Sequence, residues 1–343
     1  MPRGLGGSRS AVLALSLVLS AMLLRPAALS AQPARAATGT IRTDTLWAQA
    51  LGLKKALVVY LPPSYATATA QRYPVVLYLH GVSGNERNWV EQGRLAQTMD
   101  SLVAAGHPEA IIAMPDGDDS WYTTFASLPD LAACQADTVR KEAAASFCVP
   151  WPHYDDYIAF DIVQHLDAHY RTRADRAHRG IGGLSMGGYG AVSLALAYPE
   201  LFSAAASHSG VLSPRLLRDS AAVTGPGRYA TVGSYVRAAG GLWPSQRLAF
   251  GLDSIGWLTR DPVSLAARAQ ARARAGGPPV PALALDVGRD DAYVAQNRDA
   301  HAALDRLGVV HQYTEWPGGH TWNYWRSHSV DGLTFLLRQV SRP

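Results

Sequence analysis

Residues 179–199 read RGIGGLSMGGYGAVSLALAYP and contain the motif G-x-S-x-G centred on Ser185. A short apolar stretch precedes the serine, and a run of small residues closed by Pro199 follows it. This order predicts a strand, a tight turn and a helix, the context in which the motif presents a serine hydroxyl at the end of a sheet. Gly183 and Gly187 supply the small neighbours that so tight a turn demands. We therefore predict that Ser185 is a nucleophile; the alternative is a glycine-rich packing turn.

Strands and helices alternate on both sides of this motif. Because a βα alternation favours parallel pairing, we predict an α/β fold with a mainly parallel central sheet and helices on both faces. Residues 41–343 are interpreted as a single domain, with a polar excursion over 116–153 and a helical insertion over about 211–280. Strands are predicted over residues 56–61, 74–80, 110–114, 179–184, 202–208, 281–287 and 310–316.

The N-terminus has the composition of a secretory signal peptide. Arginines flank an uncharged run of about 15 residues, which is shorter than the run that a membrane-spanning helix needs. We predict a signal peptide over residues 1–31, cleaved after Ala31 or Ala36, then a linker over 32–40. The first cleavage removes three arginines and no acid, so the net charge falls from +4 to +1. We therefore expect a secreted or periplasmic protein without a stable membrane anchor, and charge gives no support for nucleic-acid binding.

A serine nucleophile needs a histidine base, and His320 has the best position for one. It follows Gly318 and Gly319, just past the last predicted strand, where catalytic groups gather in open α/β sheets. The remaining histidines after the motif are interpreted as structural, surface or packing residues: His208, His301, His311 and His328.

The acid that orients the base is expected after the preceding strand, where Asp290 and Asp291 adjoin. Spacing alone leaves the choice between them open. For the oxyanion hole, one donor is expected from the backbone N–H of Met186, and the other from the N–H of Val82 or Gly81 in the loop that follows an early strand. His80, which opens that loop, is interpreted as a shaping residue.

The two cysteines of the chain, Cys134 and Cys148, are expected to form a disulfide because an exported chain meets an oxidising compartment. No metal site is predicted. Asp116, Asp118 and Asp119 match no calcium-loop spacing and are interpreted as a solvated turn.

Several stretches together resemble the esterase D / putative esterase family of α/β-hydrolases, which includes feruloyl and acetyl-xylan esterases, S-formylglutathione hydrolases, enterochelin esterases and antigen 85 mycolyltransferases. The matching stretches are residues 73–89, 114–123, 178–210, 285–297 and 316–325. The resemblance implies Ser185 as nucleophile, His320 as base and Asp291, rather than its neighbour, as acid. It also implies the amides of Val82 and Met186 as the oxyanion pair.

The same resemblance implies that Trp121 and Tyr122 form an aromatic wall of the substrate pocket; packing is the alternative for both. The cysteine-bearing excursion and the segment over 211–260 are longer than the family pattern, which weakens any inference about the substrate.

The expected function is an exported serine esterase that hydrolyses carboxylic esters through an acyl-enzyme, without a metal or organic cofactor. Its substrate is expected to be a small-molecule or carbohydrate-linked ester, for example a feruloyl or acetyl ester. Acyl transfer to a sugar and siderophore-ester hydrolysis are the alternatives within enzymes. A non-catalytic binding protein on the same fold is the alternative from another class, and the intact triad positions argue against it. The oligomeric state is left open.

Overall fold

Eight strands form one sheet in the computed structural model, which describes residues 37–136, 148–216 and 240–342. The strands are Thr40–Ala48 (β1), Leu53–Leu61 (β2), Val75–Leu79 (β3), Ile111–Pro115 (β4), Arg179–Leu184 (β5), Ala204–His208 (β6), Ala282–Gly288 (β7) and His311–Trp316 (β8). Their order across the sheet is β1-β2-β4-β3-β5-β6-β7-β8. β1 and β2 run antiparallel to their neighbours, whereas the pairs from β4 through β8 are parallel. The predicted mainly parallel α/β architecture is confirmed.

Helices connect the parallel strands. They are Asn88–Glu91 (α1), Leu95–Ala104 (α2), Leu131–Ala136 (α3), the continuous helical stretch Tyr154–Asp156, Tyr157–Ile162 and Val163–His169 (α4), Met186–Ala197 (α5), Trp243–Phe250 (α6), Ser254–Arg260 (α7), Pro262–Arg274 (α8), Val294–Leu307 (α9) and Trp322–Val340 (α10). Within α4, residues 157–162 form a π-helical segment. No helix in the described ranges is long and apolar enough to cross a membrane.

The sheet is buried on both faces, as the alternation of side chains in β3 shows. Val75 and Leu77 join the apolar cluster that contains α4 and α5. Val76 and Tyr78 join the cluster on the other face, which contains α2 and α10. Successive residues of a strand point to opposite faces of the sheet. The continuous apolar run of β3 is therefore favourable only because both faces of the sheet are covered. The prediction of helices on both faces is confirmed.

β1 is a correction to the sequence analysis, which predicted no strand before residue 56; the linker predicted over 32–40 overlaps β1 only at Thr40. Within the described residues, the first strand begins at Thr40, and β1 pairs with β2 over its whole length. Most of the β1 side chains are exposed because the strand lies at the sheet edge, so it lacks the apolar run that identifies a buried strand. The signal peptide and its two cleavage sites lie outside the described residues.

The insertion and the excursion contact each other. Helices α6, α7 and α8 fall within the predicted insertion, of which residues 217–239 lie outside the described ranges. The indole N–H of Trp121 donates to Ser245 Oγ at 3.0 Å, and the N–H of Ala126 donates to the carbonyl oxygen of Leu248 at 2.9 Å. The excursion also contains the Cys134–Cys148 disulfide, whose Cα atoms are 5.7 Å apart.

A buried ion-pair cluster anchors the start of the excursion to β2. The Lys55 ammonium lies 2.7 Å from Asp116 Oδ2 and 2.6 Å from Asp118 Oδ2, and its side chain is fully buried. Tyr154 also donates to Asp118 Oδ2, at 2.5 Å. The interpretation of these aspartates as a solvated turn is therefore wrong for Asp116 and Asp118. Asp119 is half-buried and accepts the backbone N–H of Ser83 at 2.6 Å.

The charges of this cluster depend on one another. Burial alone would lower the pKa of Lys55, but the adjacent charges of Asp118 and Asp116 outweigh burial and raise it. Burial, together with the charge of Asp116, raises the pKa of Asp118 to about 6. One cation therefore compensates two carboxylates in a place with little water.

Replacing that cation is expected to destabilise the fold. Lys55→Met leaves two buried carboxylates without their counter-ion and is expected to lower the free energy of unfolding by about 3–5 kcal/mol, measured by urea denaturation. Lys54→Met is the matched control, since Lys54 is exposed, and its effect is expected within about 0.5 kcal/mol of zero. Equal stability of the two variants would contradict a structural role for the cluster.

Candidate active site

Ser185 lies in a strained turn between β5 and α5. Its backbone has φ 52° and ψ −117°, a left-handed conformation that is uncommon for a residue with a side chain. A Cβ at Gly183 would lie 2.5 Å from the carbonyl oxygen of Gly187, and a Cβ at Gly187 would lie 2.4 Å from that of Leu79. The turn therefore excludes side chains at these two positions, as the motif predicted. The N–H of Ser185 donates to the carbonyl oxygen of His208 at 2.9 Å and fixes the turn to β6.

The structure brings together the three residues predicted as a triad. His320 Nε2 lies 2.9 Å from Ser185 Oγ. On the other side of the ring, Nδ1 lies 2.9 Å from Asp291 Oδ2 and 3.1 Å from Oδ1. Because a carboxylate only accepts, Nδ1 carries the proton, and Nε2 is left as an acceptor facing the serine hydroxyl. The Asp291 side chain is fully buried, whereas about a quarter of the His320 side chain is exposed.

The acid and base loops are joined by their backbones at the ends of β7 and β8. The N–H of Arg289 donates to the carbonyl oxygen of Trp316 at 2.8 Å, and that of Asp290 donates to the carbonyl oxygen of Gly318 at 2.9 Å. A Cβ at Gly288 would lie 2.2 Å from the Gly318 carbonyl oxygen, so only glycine permits this approach. Asp290 itself is exposed. Spacing could not distinguish the adjacent aspartates, but the structure does: the side chain of Asp291 is buried and faces His320, whereas that of Asp290 is exposed.

Two aromatic rings that the sequence analysis did not single out flank His320. Tyr293 and Trp325 approach it edge-on, with ring centroids 4.9 Å and 4.8 Å away. The N–H of Tyr293 also donates to Asp291 Oδ1 at 2.8 Å. These contacts hold both the imidazole plane and the carboxylate. The WNYW run after Gly318-Gly319 was the available signal for the second ring.

The loop after β3 passes directly against the serine. A Cβ at Gly81 would lie 3.4 Å from Ser185 Cβ. Val82, the predicted donor in this loop, is half-buried. Met186 is the first residue of α5, so its N–H has no acceptor within the helix, and the positive end of the helix dipole points at the serine.

His80 holds the same loop from behind, in agreement with its interpretation as a shaping residue. It is buried, its Nδ1 lies 2.8 Å from the Gly81 carbonyl oxygen, and its Nε2 accepts the N–H of Gly117 at 2.9 Å. Both ring nitrogens are thus engaged with backbone groups.

Trp121 and Tyr122 are packed rather than open to solvent. Both side chains are essentially fully buried. Trp121 packs edge-on against Tyr189, and the Tyr122 hydroxyl donates to the carbonyl oxygen of His80 at 3.0 Å. Their burial favours the packing alternative, and their role as a pocket wall stays a prediction.

A second histidine–aspartate pair lies beneath the site. His208 Nδ1 is 2.6 Å from Asp286 Oδ2, and its Nε2 is 2.6 Å from the Tyr78 hydroxyl. Tyr324 donates to the other oxygen of Asp286 at 2.8 Å. His208 is completely buried, which agrees with its interpretation as a structural histidine.

Comparisons with known proteins agree with this architecture. An esterase of Mycobacterium tuberculosis (strain ATCC 25618 / H37Rv) is 29% identical over 308 residues, which cover 85% of this chain and 58% of that protein. The endo-1,4-beta-xylanase/feruloyl esterase of Xylanibacter ruminicola is 28% identical over 194 residues, or 54% of this chain and 24% of that protein. This chain therefore spans well under two thirds of the length of these relatives.

A solved structure of a ferulic acid esterase superposes with a TM-score of 0.64 and 24% identity, covering 89% of this chain and 99% of the other. At this identity the likeness shows the α/β-hydrolase fold. The model of the family described as "Putative esterase" matches residues 48–336. Since that match covers most of the chain, the protein belongs to this esterase family.

Proposed function

We propose that this protein hydrolyses carboxylic esters through an acyl-enzyme formed on Ser185. The observation that carries the proposal is the continuous hydrogen-bonded chain from Ser185 Oγ through both nitrogens of His320 to the buried carboxylate of Asp291. A serine hydroxyl is a weak nucleophile unless a base removes its proton as it attacks, and this chain supplies the base and its orienting acid.

In the proposed reaction, His320 Nε2 takes the hydroxyl proton while Ser185 Oγ bonds to the ester carbonyl carbon. Asp291 stabilises the imidazolium that forms. The tetrahedral intermediate collapses, and the imidazolium gives its proton to the leaving alcohol. Water then attacks the acyl-enzyme with the same base, and the carboxylic acid leaves.

The negative charge on the carbonyl oxygen is proposed to be stabilised by the backbone N–H groups of Met186 and Val82. The dipole of α5 adds to this stabilisation, because its positive end lies at the serine. The close approach of Gly81 to Ser185 supports a contribution from the N–H of Val82, the next residue in the same loop. All of these groups belong to the backbone, so no side chain has to reorganise as charge develops.

For the substrate, we propose an ester whose acyl group is an aromatic acid such as ferulate. A mainly apolar cavity of about 210 Å³ lies between the excursion and α6, lined among others by Ser120, Phe125 and Leu248. Trp121 links this cavity to the nucleophile turn: its indole N–H donates to Ser245, which lines the cavity, and its backbone N–H lies 3.4 Å from Met186 Sδ. Relatives named as feruloyl esterases support this choice.

We also propose that the protein acts outside the cytoplasm. The composition of residues 1–31 supports export, and a disulfide in the excursion suits an oxidising compartment.

The first test replaces the nucleophile. Ser185→Ala is expected to lower kcat for p-nitrophenyl acetate by about 10⁴-fold or more, because no other group forms the acyl-enzyme. The variant should unfold at the same temperature as the parent protein, and only the parent should be labelled by a fluorophosphonate. A loss of less than tenfold would exclude Ser185 as the nucleophile.

The second test separates the adjacent aspartates. Asp291→Asn removes the charge that faces His320 and favours the wrong imidazole tautomer, so kcat is expected to fall by about 10³–10⁴-fold. Asp290→Asn is the matched control and is expected to stay within about twofold, since an exposed side chain there has little effect on the reaction. The reverse order of the two losses would assign the acid to Asp290.

The third test fills the cavity. Leu248→Trp is expected to raise KM for methyl ferulate by about tenfold or more, while p-nitrophenyl acetate is affected less than about twofold, because only the larger acyl group needs the space. Leu252→Trp is the control, since Leu252 is exposed just beyond α6. Equal losses for both esters would contradict the cavity as an acyl site without touching the assignment of Ser185.

A further inference from the structure

Three side chains that can bind metal converge at the end of the sheet opposite the candidate active site. His301 and Asp305 lie one turn apart on α9, and His311 is the first residue of β8. Each of the three offers one ligand atom, a ring nitrogen or a carboxylate oxygen, and these atoms all lie within 4.8 Å of one another. Among the described residues, no other group of three or more histidine, cysteine or acidic side chains meets this criterion. His320 follows the other end of β8, about 20 Å away at the usual rise of a strand.

The surroundings of His311 leave one nitrogen available to a ligand. Its Nδ1 lies 2.8 Å from the carbonyl oxygen of Val309, so Nδ1 carries the proton and Nε2 presents a lone pair to the cluster. A backbone carbonyl that fixes the tautomer in this way is the usual support of a metal-bound histidine. The side chain of His311 is almost fully buried, which fixes its direction.

The ring of His301 is fixed next to Nε2 of His311. It stacks on Tyr313 with centroids 4.4 Å apart and an interplanar angle of 15°. Its Nδ1 lies 2.7 Å from His311 Nε2, so in the absence of a cation Nδ1 must donate to that nitrogen. The remaining nitrogen of a neutral His301 then turns a lone pair towards Asp305 Oδ2, 3.6 Å away.

The distances suit a small cation. A tetrahedral Zn²⁺ with bonds of about 2.0–2.1 Å holds its ligand atoms about 3.3 Å apart. His311 Nε2 lies 2.7 Å from His301 Nδ1 and 3.9 Å from Asp305 Oδ1, and one ligand atom from each of the three residues lies within 4.8 Å of the other two. A widening of the histidine contact by about 0.6 Å, with transfer of the shared proton to His301 Nε2, would leave His301 Nδ1, His311 Nε2 and Asp305 Oδ1 as three ligand atoms around one ion.

We propose that His301, Asp305 and His311 bind a divalent transition-metal ion of the zinc class. Two imidazoles and one carboxylate favour zinc, copper or nickel over magnesium and calcium, which prefer oxygen ligands. Asp305 is mostly exposed, so solvent completes the coordination. The ion links α9 to β8, the elements that follow the acid loop and precede the base loop, and its role is structural. The sequence analysis predicted no metal site and interpreted both histidines as surface or packing residues.

The test is a zinc titration of chelator-treated, tag-free protein, followed by competition with a chromophoric chelator and by thermal unfolding. One ion per chain is expected, together with a rise in Tm of at least about 3 °C at saturation and no rise with MgCl₂. Asp305→Asn is expected to weaken binding at least about tenfold because it removes one ligand, and a substitution at this exposed position has little effect on folding. His301→Asn is expected to do the same.

His169→Asn is the matched control. His169 stacks on His165 in α4, so this variant removes one member of a different histidine pair. Its zinc affinity is expected to equal that of the parent protein. Absence of saturable binding below about 100 μM Zn²⁺ would overturn the proposal, leaving a shared proton as the occupant of the cluster. Zinc binding that is unchanged in both Asp305→Asn and His301→Asn would overturn it as well.

Discussion

The turn at Ser185 has no room for side chains beside the serine, and the rest of the site is built around that constraint. A Cβ at Gly187 would clash with the carbonyl oxygens of Leu79 and His80, at and just past the end of β3. A Cβ at Gly183 would clash with the carbonyl oxygen of Gly187 in the first turn of α5. A positive φ at a serine costs of the order of 1–3 kcal/mol, which the turn can bear only if its surroundings leave no alternative. Burial of β5 between β3 and β6, and the bond from the Ser185 N–H to His208, provide those surroundings.

The parallel pairing of β7 and β8 places the acid and the base. Both strands end at the same edge of the sheet, with Gly288 opposite Trp316, and each loop then carries one functional side chain. Two further backbone hydrogen bonds continue the pairing past the strand ends. Asp291 and His320 therefore belong to one rigid corner, whose distance to Ser185 is set by the order of the strands rather than by the flexibility of loops.

The parts of the site that a sequence can predict are those written in contiguous motifs. Ser185 and His320 each lie among glycines whose spacing alone indicates a turn, and the apolar runs indicate the parallel strands. Asp290 and Asp291 could not be distinguished by spacing, because only the fold decides which carboxylate is turned inward. The Lys55 cluster was missed for a related reason. Its carboxylates lie 61 and 63 positions from the lysine, and acidic residues next to a glycine have the sequence pattern of a solvated turn; only the fold shows that a buried lysine contacts them.

Two histidine–aspartate pairs contact Ser185, and the surroundings of their second ring nitrogens explain why only one of them is suited to act as a base. His208 has its Nε2 committed to the Tyr78 hydroxyl, is fully buried, and is covered by α10, where a Cβ at Gly332 would lie 2.6 Å from that nitrogen. It reaches the serine only through its backbone carbonyl. His320 also has a carboxylate partner, Asp291, but it directs Nε2 at a hydroxyl and keeps part of its ring in solvent. An imidazole can pass a proton to a substrate only where its second nitrogen is not already satisfied by the protein, and this separates the pair that supports the turn from the pair proposed to use it.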